Sequence, residues 1–352
     1  MAAELSRPAL LCPDDRGLWC AAGGFHVDPW NPVPRAVITH AHGDHARWGS
    51  AAYLAAEPSL PLLRRRLGEA AVLEGVPYGK RVRLGETTVS FHPAGHVLGS
   101  AQVRVEREGE VWVVSGDYKR QPDSTCAQFE PVACDTFVTE ATFGLPIYRW
   151  PDTPEVAREV LAWWQESAAA GRAAVLFCYA LGKAQRLLAE LALLTDRPVF
   201  VHGAVEPLNA CYRDAGIPML PTRLVGTSGD VERGRSFAGE MVLAPPSAAG
   251  SPWMRRFGDA STGFASGWMR VRAARRGRGY ERGFVLSDHA DWPDLLRSIA
   301  ETGARRILAT HGATGPLVRY LCEQGYDAAA LATAYQGEAE DEVPASDPKE
   351  SG

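Results

Sequence analysis

Arg35-Ala36-Val37-Ile38-Thr39-His40-Ala41-His42-Gly43-Asp44-His45 is the stretch on which the reading of this chain turns. Its first five residues form a short, mostly apolar run with β-branched side chains, which predicts a buried strand. That strand hands over directly to His40, His42, Asp44 and His45. Imidazole nitrogens and carboxylate oxygens suit zinc and related divalent metals. Residues two apart on an extended loop face the same way, so His40 and His42 can share one ion. Asp44 and His45 are expected to enter a helix and serve a second. A lone histidine is usually a satisfied core or surface group, but that reading does not explain a cluster at a strand end.

Working outward, more ligand-type residues follow predicted strands. His96 sits in Ala94-Gly95-His96, just after a strand over 87–92. Asp117 sits in Ser115-Gly116-Asp117, at the end of a hairpin over 101–106 and 110–115 that turns at Glu108-Gly109. A further strand is expected over 136–140, ending at Glu140, and His311 follows one over 305–309. His26, His92 and His202 lack such company and read as structural or surface residues. From Thr153 the pattern changes to alternating helices and strands. Helices are expected over 153–170 (Thr153 as N-cap, Pro154 at the first position), 182–195, 205–215, 293–301 and 315–324. Strands over 173–178, 198–202 and 284–286 alternate with them, which predicts an α/β protein with a parallel sheet.

At 352 residues the chain fits one large or two medium domains. Its 46% hydrophobic and 22% charged composition is that of a globular protein. No apolar run reaches the ~20 residues of a membrane span, and residues 1–13 lack the pattern of a secretory signal. The seven cysteines are scattered with no Cys-x-x-Cys, which argues against a disulfide framework or zinc ribbon and for a reducing cytoplasm. The net charge of −5 comes from residues 338–352, where six acids face only Lys349, so the rest is near neutral. Nucleic-acid affinity would therefore need local patches such as the arginines of 270–282 or Arg64-Arg65-Arg66. The polar, acidic residues 336–352 are expected to be disordered.

His-x-His-x-Asp-His, then Gly-His, then an Asp ending a strand, resembles the metallo-β-lactamase fold, a four-layer αβ/βα sandwich with one or two metals at its edge. The resemblance implies His40, His42 and His96 on a first metal, Asp44, His45 and His311 on a second, and Asp117 bridging. Asp28 resembles the acidic position that orients the histidine loop. About 140 residues separate Gly144 from Ser287-Asp288-His289-Ala290-Asp291. That insertion resembles the β-CASP branch of nucleic-acid nucleases, with an extra α/β domain over the metal site. Thr139-Glu140-Ala141-Thr142-Phe143, Tyr179-Ala180-Leu181-Gly182-Lys183-Ala184-Gln185 and Thr310-His311-Gly312 are similar to further motifs of that branch. The expected organisation is 1–150 with 283–335 as the metallo-β-lactamase domain, 151–282 as the insert, and 336–352 as the tail.

Within the branch, the length, Phe264-Ala265-Ser266-Gly267-Trp268 and Gly182-Lys183 resemble bacterial ligase-associated DNA exonucleases and DNA cross-link repair nucleases. This implies a phosphodiesterase with two divalent ions, zinc or manganese, acting on DNA in repair. The implied action is 5′→3′ on single-stranded ends, beside an ATP-dependent DNA ligase and a helicase. Asp44 would be catalytic as well as a ligand. His289 would be the general acid, oriented by Glu140. Lys183 and Ser266 would line a terminal-phosphate pocket, and Trp268 would stack on a base or belong to the core. His311 points the other way, since eukaryotic DNA-specific members tend to lack a histidine there and RNA-processing members have one. A ribonuclease is thus the main alternative, and a thioester or lactone hydrolase a lesser one.

Overall fold

The computed structural model describes residues 9–226, 236–271 and 279–333. The acidic tail and the centre of the 270–282 arginine run lie outside the described residues.

The chain opens with a six-stranded sheet taken in sequence order: β1 (Cys12–Pro13), β2 (Leu18–Cys20), β3 (Phe25–Val27), β4 (Ala36–Ile38), β5 (Tyr53–Ala56) and β6 (Leu73–Val76). β4 is the strand expected before the histidine loop, and all three of its residues are buried. Helix α1 (Leu60–Leu67) crosses from β5 to β6 and seats Leu62 and Leu63 against Ala36, Ile38 and Tyr53.

A second sheet begins with β7 (Val82–Leu84), β8 (Thr87–Pro93), β9 (Ala101–Arg107), β10 (Glu110–Val114) and β11 (Thr136–Glu140). The β9–β10 hairpin turns at Glu108 and Gly109, both at positive φ (51° and 84°), as a two-residue turn of the primed type requires. The two sheets face each other across a core of Phe25, Val27, Val37, Leu54, Val89, Phe91, Val103, Val105 and Trp112.

The chain then leaves for a third sheet. Helix α2 (Thr153–Ala169) starts with Asp152, not Thr153, as N-cap residue, because Thr153 already has helical geometry and is buried. Then come β12 (Ala174–Phe177), α3 (Lys183–Ala192), β13 (Val199–Val201), α4 (Glu206–Asp214), β14 (Thr222–Leu224), β15 (Met241–Ala244), β16 (Ser261–Ala265) and β17 (Arg282–Phe284). All pairings in this sheet are parallel, in the order β14-β13-β15-β12-β16-β17. β12 and β15 are buried throughout, the continuous apolar pattern of a parallel sheet covered on both faces. Trp163, Trp164, Leu187 and Leu191 of α2 and α3 cover one face. The strand expected over 284–286 lies at β17 instead, across the expected 282/283 domain boundary.

The chain finally returns to the second sheet through α5 (Trp292–Thr302), β18 (Arg306–Thr310), α6 (Thr314–Glu323) and β19 (Asp327–Ala330). β18 pairs in parallel with β11, and Ile299, Leu317 and Leu321 pack on the sheet's outer face. Helix, sheet, sheet, helix is a four-layer α/β sandwich. Its functional consequence is that β4, β11 and β18 place the loops after Thr39, Glu140 and Thr310 at one edge of the layers. No helix among the described residues is long and apolar enough to cross a membrane.

Candidate metal centre

The seven residues expected to hold metal fall into two groups, His40, His42 and His96 with Asp117, and Asp44 and His45 with His311. Within each group the candidate ligand atoms lie within 4.8 Å of one another. All seven are buried. Asp117 sits between the groups: its Oδ2 is 3.5 Å from His40 Nε2, 3.5 Å from His45 Nε2 and 3.8 Å from His96 Nε2. His45 Nε2 is also 3.6 Å from Asp44 Oδ2.

The backbone explains the convergence. Residues 41–46 form a turn instead of the expected helix start, with Ala46 N–H donating to His42 O at 2.8 Å. The bend closes once and stops, which aims Asp44 and His45 back toward His40. Gly116 lies at φ +56°, and a Cβ there would sit 2.6 Å from Thr39 Cβ. Only glycine lets the loop carrying Asp117 close onto the strand end carrying His40.

His40, His45 and His96 are each held by the outer nitrogen so that the inner one faces the centre. Thr39 Oγ1 donates to Asp28 Oδ2 at 2.6 Å and so can accept from His40 Nδ1–H at 3.0 Å. His96 Nδ1–H donates to Asp288 O at 2.8 Å, leaving Nε2 inward. His45 Nδ1 is 2.8 Å from Asp28 Oδ2, and Asp28 Oδ1 also accepts from Thr39 N–H at 2.8 Å. Asp28 thus holds the loop backbone and the outer nitrogen of His45, at the place where an orienting carboxylate is needed. Inward, His42 Nδ1 meets His40 Nε2 at 3.1 Å and His96 Nε2 at 2.9 Å.

Electrostatics fit the same purpose. Burial drives His40 and His96 well below the usual histidine range and His311 down to about 3, so these rings are held neutral and able to bind a cation. Burial opposes charge on His45 too, but Asp44, Asp117 and Asp28 outweigh it and raise His45 well above that range. Burial would raise Asp117, yet the facing His45 and His289 hold it well below the carboxylate range. Asp117 Oδ1 is buried without a hydrogen-bond partner among the described residues. A converging set of ring nitrogens around a buried, ionised carboxylate fits divalent metal, and the donor set is one that zinc or manganese accepts.

Beside the metal groups, His289 Nδ1 is 2.8 Å from Glu140 Oε2 and 4.0 Å from Asp117 Oδ2. Glu140 Oε1 accepts from Tyr118 N–H at 2.8 Å. Burial raises the Glu140 carboxyl above its ordinary range, with His289 pulling it back.

Two expected substrate residues lie elsewhere. Lys183, buried at 2% exposure, sets its Nζ 3.1 Å from Asp288 Oδ2 instead of an open pocket, and the neighbouring Gly182 N–H is taken by Gln185 Oε1 at 2.8 Å. The Ser266 hydroxyl is fully buried and accepts from Trp268 N–H at 3.3 Å as the cap of a short turn. Both follow from the insert closing tightly on the metal domain, which turns apparent loop residues into packing residues. Arg64 and Arg66 are also committed: Arg64 Nη1 donates to Glu69 O and Ala71 O, and Arg66 Nε donates to Ala41 O inside the histidine loop at 3.0 Å. His26 bonds Asp14, and His202 Nδ1 accepts from Ala204 N–H, so both are structural. His92 lies 3.1 Å from Ser90 Oγ, away from the centre.

Sequence reading missed Lys119, Asp123 and Arg186. Arg186 on α3 reaches Asp123 Oδ2 at 2.5 Å, Asp288 Oδ1 at 3.2 Å, Ser287 O at 2.8 Å and His96 O at 3.3 Å. Lys119 Nζ also donates to Ser287 O, and its pKa is lowered to about 7 by burial and the nearby Arg186. The only signal was a Lys two residues past Asp117, which has no meaning until the insert is in place.

Fold and centre together define an α/β sandwich carrying, at one edge, two His/Asp clusters that could hold metal, with a parallel sheet packed beside them. No protein-family model matches the chain. Known proteins do. A probable DNA ligase of Opitutus terrae is 30% identical over 317 residues, 90% of this chain and 30% of its own length. Ribonuclease TTHA0252 of Thermus thermophilus is 28% identical over 218 residues, 54% of this chain and 48% of its own. The chain therefore spans less than half the length of either. A crystal structure of an Enterococcus faecalis protein of unknown function shares the fold, with a TM-score of 0.57 and 12% identity over 85% of this chain and 79% of that one. These relatives fit the resemblance to the β-CASP branch of the metallo-β-lactamase superfamily that the motifs carry.

Proposed function

We propose that the chain is a two-metal phosphodiesterase that cuts nucleic acid. The observation that carries this is the Glu140–His289 pair at 2.8 Å, set 4.0 Å from the carboxylate that joins the two metal groups. His40, His42, His96 and Asp117 would hold one divalent ion; Asp44, His45, His311 and Asp117 would hold the other. Such ions lower the pKa of water toward ~7 and neutralise charge building on a phosphate. The chain's own part is to orient and to move a proton. Glu140 accepts from His289 Nδ1–H and orients the ring, and the imidazolium form of His289 gives its second proton, on Nε2, to the leaving oxygen and is left neutral. A thioester, whose thiolate leaves unprotonated, needs no such donor, which favours the phosphodiester over it.

Within that reading the substrate is DNA, cut 5′→3′ from single-stranded ends to leave 5′-phosphates in repair, in the cytoplasm. Similarity over 90% of the chain to a protein named probable DNA ligase supports this, and an ATP-dependent ligase and a helicase would be its partners. RNA is the second reading, favoured by His311 and by the similarity to a ribonuclease. Lys183 and Ser266 have no part in either, since both are committed inside the fold.

The leaving group tests the proton step. His289→Gln should slow cleavage of an oligonucleotide about 10²–10⁴-fold. Bis-para-nitrophenyl phosphate, whose phenolate departs unprotonated, should slow far less. Equal losses on the two substrates in steady-state assays would reduce the pair to a structural hydrogen bond.

A further inference from the structure

An aromatic ledge adjoins His289 and has no task in the fold's metal chemistry. The Phe143 ring lies 5.8 Å from the His289 ring and 4.8 Å from each of Trp150 and Trp268. Trp150 Nε1 donates to His289 O at 2.9 Å, which ties the ledge to the candidate acid. A Cβ at Gly267 would sit 2.6 Å from Phe143 Cζ and 3.0 Å from Trp150 Cη2, so glycine there lets the rings close up. Phe143 is buried, but Trp150 and Trp268 remain half-buried and reach the surface. Two exposed cations border them. Arg270 Nε donates to Ile147 O at 3.4 Å, and Arg149 follows two residues later on the same loop. Neither has an acidic partner among the described residues. Ile147 itself is 53% exposed.

Partly exposed indoles flanked by guanidinium groups without acidic partners are the chemistry of single-stranded nucleic acid: rings for bases, cations for phosphates. A purely packing role does not call for two exposed arginines without acidic partners at the rim. Resting on the phosphodiesterase reading, we propose that the Trp150–Trp268 ledge, with Arg149 and Arg270, binds the nucleotide on the leaving-group side of the scissile phosphate. The side follows from chemistry. His289 gives its proton to the oxygen whose bond to phosphorus breaks, so what lies beyond His289 is the departing fragment. For a cut that leaves a 5′-phosphate, that fragment ends in the new 3′-hydroxyl. The ledge therefore holds the nucleotide 5′ to the cut, the one an exonuclease working from the 5′ end releases.

The test uses the full chain and two readouts. Anisotropy of a labelled single-stranded oligo-dT, without added metal, is measured against salt for wild type and Arg149→Gln/Arg270→Gln. Loss of two phosphate contacts should flatten the slope of log K against log salt by up to about 1.4. Trp268→Leu should weaken binding at least about fivefold. Because a buried edge of Trp268 could matter to folding, the surface arginine variant carries the decision. In turnover, kcat/KM on the oligonucleotide divided by that on bis-para-nitrophenyl phosphate should fall at least about tenfold in the arginine variant, the cost of the same two phosphate contacts. An unchanged slope, or equal losses on both substrates, overturns the ledge as a nucleotide site, including the case in which a protein partner covers it. If wild type cuts neither substrate, the phosphodiesterase reading fails, and the anisotropy slope still decides whether the ledge binds a single strand.

Discussion

Asp117→Ala should lose one of two bound metal ions per chain and slow phosphodiester cleavage by more than about a hundredfold. The expectation rests on position. Asp117 lies within 4.0 Å of His40, His45, His96 and His289, so it touches both metal groups and faces the proton donor. Its removal also leaves His45 with fewer of the carboxylates that oppose its burial. Elemental analysis of purified protein, beside the cleavage rate, checks both parts. A variant that keeps two ions and near-normal activity would show that the two groups are held separately, with Asp117 a bystander. Circular dichroism guards against the trivial result, since Asp117 sits at a loop and supports no strand pairing.

Arg186→Ala should destabilise the protein by about 3–5 kcal/mol, the usual cost of breaking a buried ion pair. Arg186 is 1% exposed and its burial is offset only by Asp123 and Asp288. Without it, Asp123 loses its ion-pair partner and is left buried with Lys119 at longer range, and Asp288 keeps Lys183 as its one close ion-pair partner, at 3.1 Å. Asp288 now sits well below the ordinary carboxylate range: burial alone would raise it, but Lys183 and Arg186 prevail. The second consequence is geometric. The Arg186 bonds to the carbonyls of His96 and Ser287 anchor α3 of the third sheet to two loops of the metal edge. A urea midpoint shifted down with unchanged slope gives the energetic part, and weaker metal binding by the same variant gives the geometric part. A cost under about 1 kcal/mol would mean that water or neighbouring groups replace the guanidinium.

Much of this was legible because metal sites combine rare side chains with strand ends. The run from His40 to His45, the Gly-His at 95–96 and the Gly-Asp at 116–117 each pair a ligand with a turn, and both features survive in one sequence. The alternating pattern after Thr153 likewise carries helix and strand periodicity. What was not legible depends on contacts between distant segments. Lys183 reads as an exposed helix-start lysine until Asp288, 105 positions later in the chain, is folded against it. Ser266 reads as a loop hydroxyl until β16 and β17 bury it. Asp123 and Arg186 carry no motif, and their meaning appears only as a pair. The short turn at 41–46 looked helical because its first hydrogen bond is helical, and only the next residues show that it stops.

The central claim is tested most directly by giving the full chain a single-stranded, 5′-phosphorylated DNA labelled at its 3′ end, beside RNA of the same sequence. Zinc or manganese is added, with Asp44→Ala as control. The account predicts stepwise shortening of the DNA from its 5′ end, absent in the variant. Cleavage of RNA alone would contradict the DNA assignment and leave a ribonuclease. Hydrolysis of neither, with a thioester or lactone turned over instead, would contradict the phosphodiesterase itself.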